Sequence, residues 1–241
     1  MSTLFVSDLH LEAERPDIGN QFIEFLKNEA MEADELYILG DLFEAWVGDD
    51  DPNTHYAKIK MAIRKVVDKG VPVYFMHGNR DFMIGRRFAN ETGVEILNDP
   101  YPVDMYGQKA LLSHGDALCT DDQQYQRVRV MTRNPDWQAS ILAKPLKERL
   151  RIAEEARRQS LERTLNMSMD IMDVNQDEVR RVIIEHGVDV LLHGHTHRPG
   201  VHNIDLGNRK AQRIVLGDWY RQGSVVRWDL RGPKLREMPR P

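Results

Sequence analysis

Five short runs carry the side chains of this chain best suited to metal chemistry: Asp8-Leu9-His10, Gly40-Asp41, Gly78-Asn79, His114-Gly115-Asp116 and His193-Gly194-His195-Thr196-His197. Asp, Asn and His offer hard oxygen and borderline nitrogen donors without a thiolate, a set suited to Mn, Fe or Zn rather than to a soft structural site. Asp8 and His10, two apart after an apolar run, can aim at one ion, and the two oxygens of Asp41 can be shared between two ions. Asn79 and His114 can complete the second ion, and His195 and His197 can divide between the pair. Two ions about 3.5 to 4 Å apart clamp a phosphoryl oxygen and lower the pKa of a bound water, so the chemistry expected is hydrolysis at phosphorus. Taken singly, each run reads more simply as turn chemistry. The ordered set is what points to a metal centre.

The elements that must position these residues are short apolar runs bounded by turn residues, which predict buried strands over Thr3 to Ser7, Glu35 to Leu39, Val71 to Met76, Ala110 to Ser113, Val188 to Leu192 and Arg213 to Leu216. Phe22, Phe25 and Leu26 within Gln21 to Glu29, and Ile59, Ile63, Val66 and Val67 within His55 to Lys69, recur at helical spacing. The alternation predicts a layered α/β sandwich with the chemical residues on loops at strand ends, where such sheets keep their sites.

Residues 121 to about 180 break this rhythm, chiefly through the stretch Asp121 to Ser168. It is long, charged and helical, with Pro135 and Pro145 at helix boundaries, and reads as an insertion. Within it, Lys144, Lys147, Arg149, Arg151, Arg157, Arg158 and Arg163 outweigh Glu148, Glu154, Glu155 and Glu162. Trp137, Ile141, Leu142, Leu146, Leu150 and Leu161 read first as helix packing, and a few of them as the wall of an acyl chamber. A basic amphipathic segment of this kind also suits anionic lipid headgroups. The tail from Arg231 to Pro241, with three prolines, reads as an irregular end.

Composition excludes several classes. With 241 residues, 41% hydrophobic and 29% charged, the chain is expected to be one domain with an appendage. A net charge of -5 argues against nucleic acid as a partner, and no obligate protein partner is evident. The single Cys119 cannot form an intrachain disulfide and reads as a buried small hydrophobe, which suits a reducing cytoplasm. No run approaches the roughly 18 apolar residues of a membrane span. His55, His77, His186 and His202 lie outside the ladder and read as packing or surface residues, with His193 just behind it.

The order DxH, GDxxE, GNRD, HGD and GHTH, from Asp8 to His197, resembles the calcineurin-like metallophosphoesterase superfamily. Most members carry a histidine after the motif asparagine, whereas this chain has Arg80 in Gly78-Asn79-Arg80-Asp81. Together with Gly40 to Asp50 (GDLFEAWVGDD), the helical insertion and Leu216-Gly217-Asp218-Trp219, that arginine makes the chain similar to the UDP-2,3-diacylglucosamine diphosphatases of lipid A biosynthesis over nearly its whole length.

The resemblance implies two mixed sheets flanked by helices in a single domain of residues 1 to 241, with residues 121 to about 170 as a lipid cap. It implies a Gram-negative source and a cytoplasmic protein held peripherally at the inner membrane. The activity implied is attack of water on the α-phosphate of the UDP-linked diacyl sugar, giving UMP and 2,3-diacylglucosamine 1-phosphate (lipid X), with two Mn(2+) ions. Asp8, His10, Asp41, Asn79, His114, His195 and His197 are the implied ligands; Asn79, Arg80 and His195 are the implied catalytic residues; and Asn79, Arg80, Asp122, Ser160, Thr164 and His195 are implied to touch substrate. Met167 stands where the family commonly has lysine, which leaves Asn166 or a nearby arginine to replace that contact. Arg80 cannot be a general acid, but its planar fork can bind a diphosphate and stabilise transition-state charge, and a departing phosphate oxyanion needs little protonation. Two readings stand beside this one: hydrolysis of another phosphoester, such as a dinucleotide polyphosphate or a cyclic nucleotide, and a non-catalytic scaffold of the same fold.

Overall fold

Leu4 and Val6 enter one hydrophobic cluster while Phe5 between them enters another, and Leu36 and Ile38 alternate in the same way with Tyr37 and Leu39. This period of two is that of a strand with both faces buried. The computed structural model describes residues 2–165, 173–207, 209–220 and 223–238, with the backbone alone at 163–165.

The strands are β1 (Thr3–Val6), β2 (Glu35–Leu39), β3 (Val73–Met76), β4 (Glu95–Leu97), β5 (Tyr101–Met105), β6 (Gln108–Ser113), β7 (Val190–His193), β8 (Gly200–Asp205), β9 (Lys210–Val215), β10 (Gly223–Asp229) and β11 (Gly232–Met238). The helices are α1 (Pro16–Asn28), α2 (Thr54–Asp68), α3 (Arg86–Thr92), α4 (Gln123–Thr132), α5 (Pro135–Leu142), α6 (Leu146–Leu165) and α7 (Gln176–His186). One sheet runs β11-β10-β1-β2-β3-β4 and the other β5-β6-β7-β9-β8. In each, a parallel centre carries antiparallel strands at its margin: β1, β2, β3 and β4 are parallel, as are β6, β7 and β9.

Phe5, Tyr37, Leu39 and Met76 of the first sheet meet Leu112, Leu192 and Ile214 of the second, so the sheets pack face to face. The outer face of the first sheet is covered by Phe22 and Phe25 of α1, Ile59 and Ile63 of α2 and Phe88 of α3. Val179, Val182 and Ile183 of α7 cover Leu111 and Leu191 on the second. The architecture is therefore a mixed two-sheet sandwich flanked by helices.

Three differences from the sequence reading have physical causes. The tail is not irregular: Gly232–Met238 forms β11, paired antiparallel with β10 from Gly223↔Met238 to Asp229↔Gly232. Pro233 is tolerated because β11 is an edge strand, where a missing N–H breaks no necessary ladder bond. Helix α1 starts earlier than Gln21, with Pro16 at its first position, where proline lacks nothing the helix needs. The three-residue β4 and the seven-residue α3 are too short to show a period, and β5, β8 and β10 mix polar residues, proline or glycine with their apolar ones, so none of these is read locally.

The insertion forms α4, α5 and α6. Pro135 sits in the first turn of α5 behind the Asn134 cap, and Pro145 precedes α6. Neither α4 nor α5 contains a buried residue, so polar anchors fasten this segment to the sandwich. Arg133 Nη2 donates to Gly78 O at 2.9 Å, and buried Arg149 Nη1 donates to Val47 O at 2.6 Å and pairs with Asp50. No helix among the described residues is long and apolar enough to cross a membrane.

Candidate metal centre

Parallel strands of both sheets deliver their next residues to one edge: Ser7 and Asp8 after β1, Gly40 and Asp41 after β2, Asn79 after β3, His114 after β6, and Gly194 and His195 after β7. Backbone bonds lock these loops together, with Asp8 N donating to Gly40 O at 3.1 Å, Gly194 N to His114 O at 2.9 Å and Trp219 N to Asp8 O at 3.2 Å.

The ligand atoms fall into two groups. Those of Asp8, His10 and His197 lie within 4.8 Å of one another, as do those of Asp41, His114 and His195. Asp41 faces both, since its Oδ2 is 3.9 Å from His10 Nε2 and its Oδ1 is 3.8 Å from His114 Nε2. Asn79 Oδ1 joins the second group 3.0 Å from His114 Nε2. In the first, the Nε2 atoms of His10 and His197 approach to 3.1 Å, while buried Asp8 Oδ1 accepts no hydrogen bond from the described residues. A convergent set of buried and part-buried donors, with one buried oxygen left unsatisfied among the described residues and no thiolate, fits a pair of divalent cations.

The backbone is strained where the ligands sit. Six non-glycine residues among those described have positive φ, and five are Asp8, His10, Asp41, His195 and His197, at 51° to 68°. Such conformations cost on the order of 1 to 3 kcal/mol each and persist where the surroundings over-determine them. Close approach adds its own demand. A Cβ on Gly78 would lie 2.1 Å from Asp41 Oδ1 and 2.3 Å from Asp41 N, so only glycine lets the β2 and β3 loops meet.

Buried partners orient the ligands. His10 Nδ1 lies 2.8 Å from Glu44 Oε2 and His114 Nδ1 lies 2.9 Å from Leu39 O, so both rings present Nε2 to the centre. Asp81 accepts from Leu42 N at 2.7 Å and Gly78 N at 2.8 Å, tying two loops. Asp116 accepts from the Tyr125 hydroxyl at 2.9 Å and lies 2.9 Å from Arg129 Nε, joining the HGD loop to α4.

Burial and the crowding of charge set the protonation states. Burial pushes His195 down to about 4, helped by neighbouring His114, which leaves its imidazole neutral with a free lone pair. Burial opposes charge on His114 too, but Asp41, Asp116 and Asp8 drive it up to about 9. Burial works against ionisation of Asp8, yet His197, His114 and His10 draw it well below the usual carboxylate range. For Glu44, burial likewise loses to His10, Arg80 and Arg157, which bring it to about 2. Asp81 goes the other way, up to about 7, through burial and the charge of Asp41. Anionic ligands packed this closely need cations to balance them.

A cavity of about 720 Å³ opens from this centre toward the insertion. Glu44, Asn79, Arg80 and Asp116 line its core end, and Val128, Trp137, Ile141, Ile152 and Ala153 line its wall on α4, α5 and α6. One pocket thus joins a polar, cation-bearing end to an apolar wall.

A family model for calcineurin-like phosphoesterases matches residues 1–199, which include every ligand described above. The chain belongs to the calcineurin-like phosphoesterase family. Among similar proteins of known name, the UDP-2,3-diacylglucosamine hydrolase of Stenotrophomonas maltophilia (strain K279a) is 48% identical over 247 residues, covering 100% of both chains. That of Serratia proteamaculans (strain 568) is 47% identical over 239 residues, covering 99% of this chain and 100% of its own. A solved structure from work on a novel archaeal phosphodiesterase superposes with a TM-score of 0.50 at 15% identity over 99% of each chain, a likeness of fold alone.

In this calcineurin-like phosphoesterase the residues expected at the site are not all in one place. Asn79, Arg80 and Ser160 line the cavity. Asp122 is the N-cap of α4 and accepts from Tyr125 N at 2.9 Å. The side chain of Thr164, and all of Asn166 and Met167, lie outside the described residues. His193 is buried with Nδ1 2.8 Å from Gly194 O, and Cys119 is buried with its thiol pushed up to about 12 by burial. Glu44 and Asp81 stood in the GDxxE and GNRD motifs without a role, although their spacing from Asp41 and Asn79 was the available signal. Tyr125, Arg129, Arg157 and Tyr220 reach the centre only through tertiary contacts, and nothing in their local sequence announces it.

Proposed function

We propose that the chain hydrolyses the pyrophosphate bond of UDP-2,3-diacylglucosamine by attack of water on the α-phosphate, releasing UMP and 2,3-diacylglucosamine 1-phosphate, with manganese as its metal. The observation that carries this reading is the cavity that joins Asn79 and Arg80 to the apolar wall of the insertion, because a diphosphate carrying two acyl chains needs both ends at once. The names of the full-length relatives support it.

Asp8, His10 and His197 would hold one ion and Asp41, His114 and His195 the other, with Asn79 beside the second, and divalent cations there supply Lewis acidity and lower the pKa of water. The rest is the work of side chains. Arg80, about a quarter exposed at the cavity's inner end, presents a permanent charge and a planar fork to the diphosphate oxygens. It donates no proton, and none is required, since the group that leaves the α-phosphorus is itself a sugar phosphate. Neutral His195, beside Tyr125 at a ring separation of 5.7 Å, closes the side of the site under α4. The insertion, residues 121 to about 170, acts as the lipid cap, with Ser160 facing the sugar and Trp137, Ile141 and Ile152 facing acyl chains. Exposed Val130 and Leu161, 71% and 62% accessible, with Lys147 and Arg151 on the same insertion, suit a peripheral seat on an anionic bilayer.

The test offers purified protein three substrates with manganese: the UDP-linked diacyl sugar, a dinucleotide polyphosphate and a cyclic nucleotide. Release of UMP from the first, and little product from the others, is expected. Turnover confined to either of the others would reassign the substrate, and no turnover at all would leave a scaffold.

A further inference from the structure

The Glu44 carboxylate, 4% exposed, is shared between two kinds of partner. Its Oε2 lies 2.8 Å from His10 Nδ1 and accepts a hydrogen bond from the Tyr220 hydroxyl at 3.1 Å. Its Oε1 lies 3.0 Å from Arg157 Nε on the insertion and 3.8 Å from Arg80 Nη1. Tyr220 also covers the ligand itself, stacking on His10 with centroids 5.1 Å apart and planes 10° off parallel, and meeting His197 edge-on at 6.1 Å. The loop after β9 holds it there, since Tyr220 N donates to Asp218 Oδ1 at 3.0 Å and Tyr220 O accepts from Arg15 Nη2 at 3.2 Å.

We infer that Tyr220 is a positioning residue of the metal centre: its hydroxyl keeps Glu44 turned toward His10 against the pull of two arginines. A carboxylate rotates about its last bond at small cost. Without the phenol, a single imidazole N–H faces two guanidinium groups across Glu44, and charge-assisted bonds are the stronger ones. The carboxylate turns to Arg157 and Arg80, and His10 loses the partner that fixes its tautomer and its aim. Because Arg157 sits on the insertion, the same contact couples the seating of the insertion to one metal site. This rests on the reading of Asp8, His10 and His197 as ligands, and its test reads metal binding, so failure of the lipid hydrolysis would leave it standing.

The experiment titrates manganese into metal-free full-length protein by calorimetry. Tyr220→Phe, which keeps the ring and removes the hydroxyl, is expected to weaken one of the two sites by about tenfold, the low end for loss of a ligand's supporting partner. The other site stays as it was, so the titration splits into two steps. Glu44→Gln is expected to give the same single-site loss. Adding Arg157→Gln to Tyr220→Phe removes the nearer of the two competing guanidinium groups and brings the weakened site back toward the wild-type affinity, a rescue that a purely structural tyrosine would not show. Two unchanged sites in Tyr220→Phe, two sites weakened alike, or no recovery in the double variant would each overturn the proposal.

Discussion

Arg80 is bound to the centre by its backbone and free of it by its side chain. Its N–H donates to Asp41 Oδ1 at 2.8 Å, while its guanidinium lies 3.8 Å from Glu44. On the proposed reading, Arg80→Ala keeps both ions and loses the cation that faces the diphosphate. The expected fall in kcat is about 100- to 1,000-fold, as for removal of one well-placed charge donor, with metal content unchanged by elemental analysis. Loss of metal in that variant would contradict the assignment. Asp41→Ala does the reverse, because a carboxylate facing His10 and His114 at 3.9 and 3.8 Å serves both groups; calorimetry should show both ions weakened. At this scale the sequence was most informative where ligands follow strand ends within one to three residues, as Asp8, Asp41 and Asn79 do. Glu44 was visible only as a spacing, and Tyr220, 176 positions away from Glu44, was not visible at all, since its contact depends on two sheets closing on each other.

At the scale of elements, loops from β2 and β3 meet so closely that one methyl group matters. Gly78→Ala places a Cβ 2.1 Å from Asp41 Oδ1 and must displace that carboxylate. Metal affinity should fall with little change in far-UV circular dichroism; unchanged affinity would show that the loops can part. The insertion hangs on a second junction, where Arg149, 3% exposed, is held by Asp50 and Val47 O. The Arg149 guanidinium holds the Asp50 carboxyl below its ordinary value. A depressed carboxylate contributes stability that is present above its unfolded pKa of about 4 and is lost as pH falls through the folded value. Asp50 is half exposed and screened, so Asp50→Ala is expected to cost about 1 to 2 kcal/mol, less than a fully buried pair. Thermal melts near pH 7 should show the loss, and the difference from the parent protein should shrink as the pH is lowered below the ordinary carboxylate range. The prolines of the tail suggested an irregular end by local chemistry, and the edge position of β11 overrode it; edge position is a property of the sheet that no local pattern states.

The whole molecule places an ion-binding edge of a sandwich under a thin helical roof, with about 720 Å³ between them. The order of the motifs, and the length of the helical stretch between HGD and GHTH, made that plan legible in the sequence. The enclosure was not, because Val128, Trp137 and Ile152 become a wall only when α4, α5 and α6 fold back over Arg80. If the space serves acyl chains, Ala153→Trp should lower kcat/KM for the lipid substrate by about tenfold, roughly 1.4 kcal/mol, and leave hydrolysis of a small synthetic phosphodiester unchanged; equal losses on both would point to a distorted centre. The proposed chemistry turns on which phosphorus receives water. Hydrolysis of UDP-2,3-diacylglucosamine in ¹⁸O-water, followed by mass spectrometry of both products, reads this directly. Label in the phosphate of UMP and none in 2,3-diacylglucosamine 1-phosphate is the predicted result, and label in the sugar phosphate would contradict it.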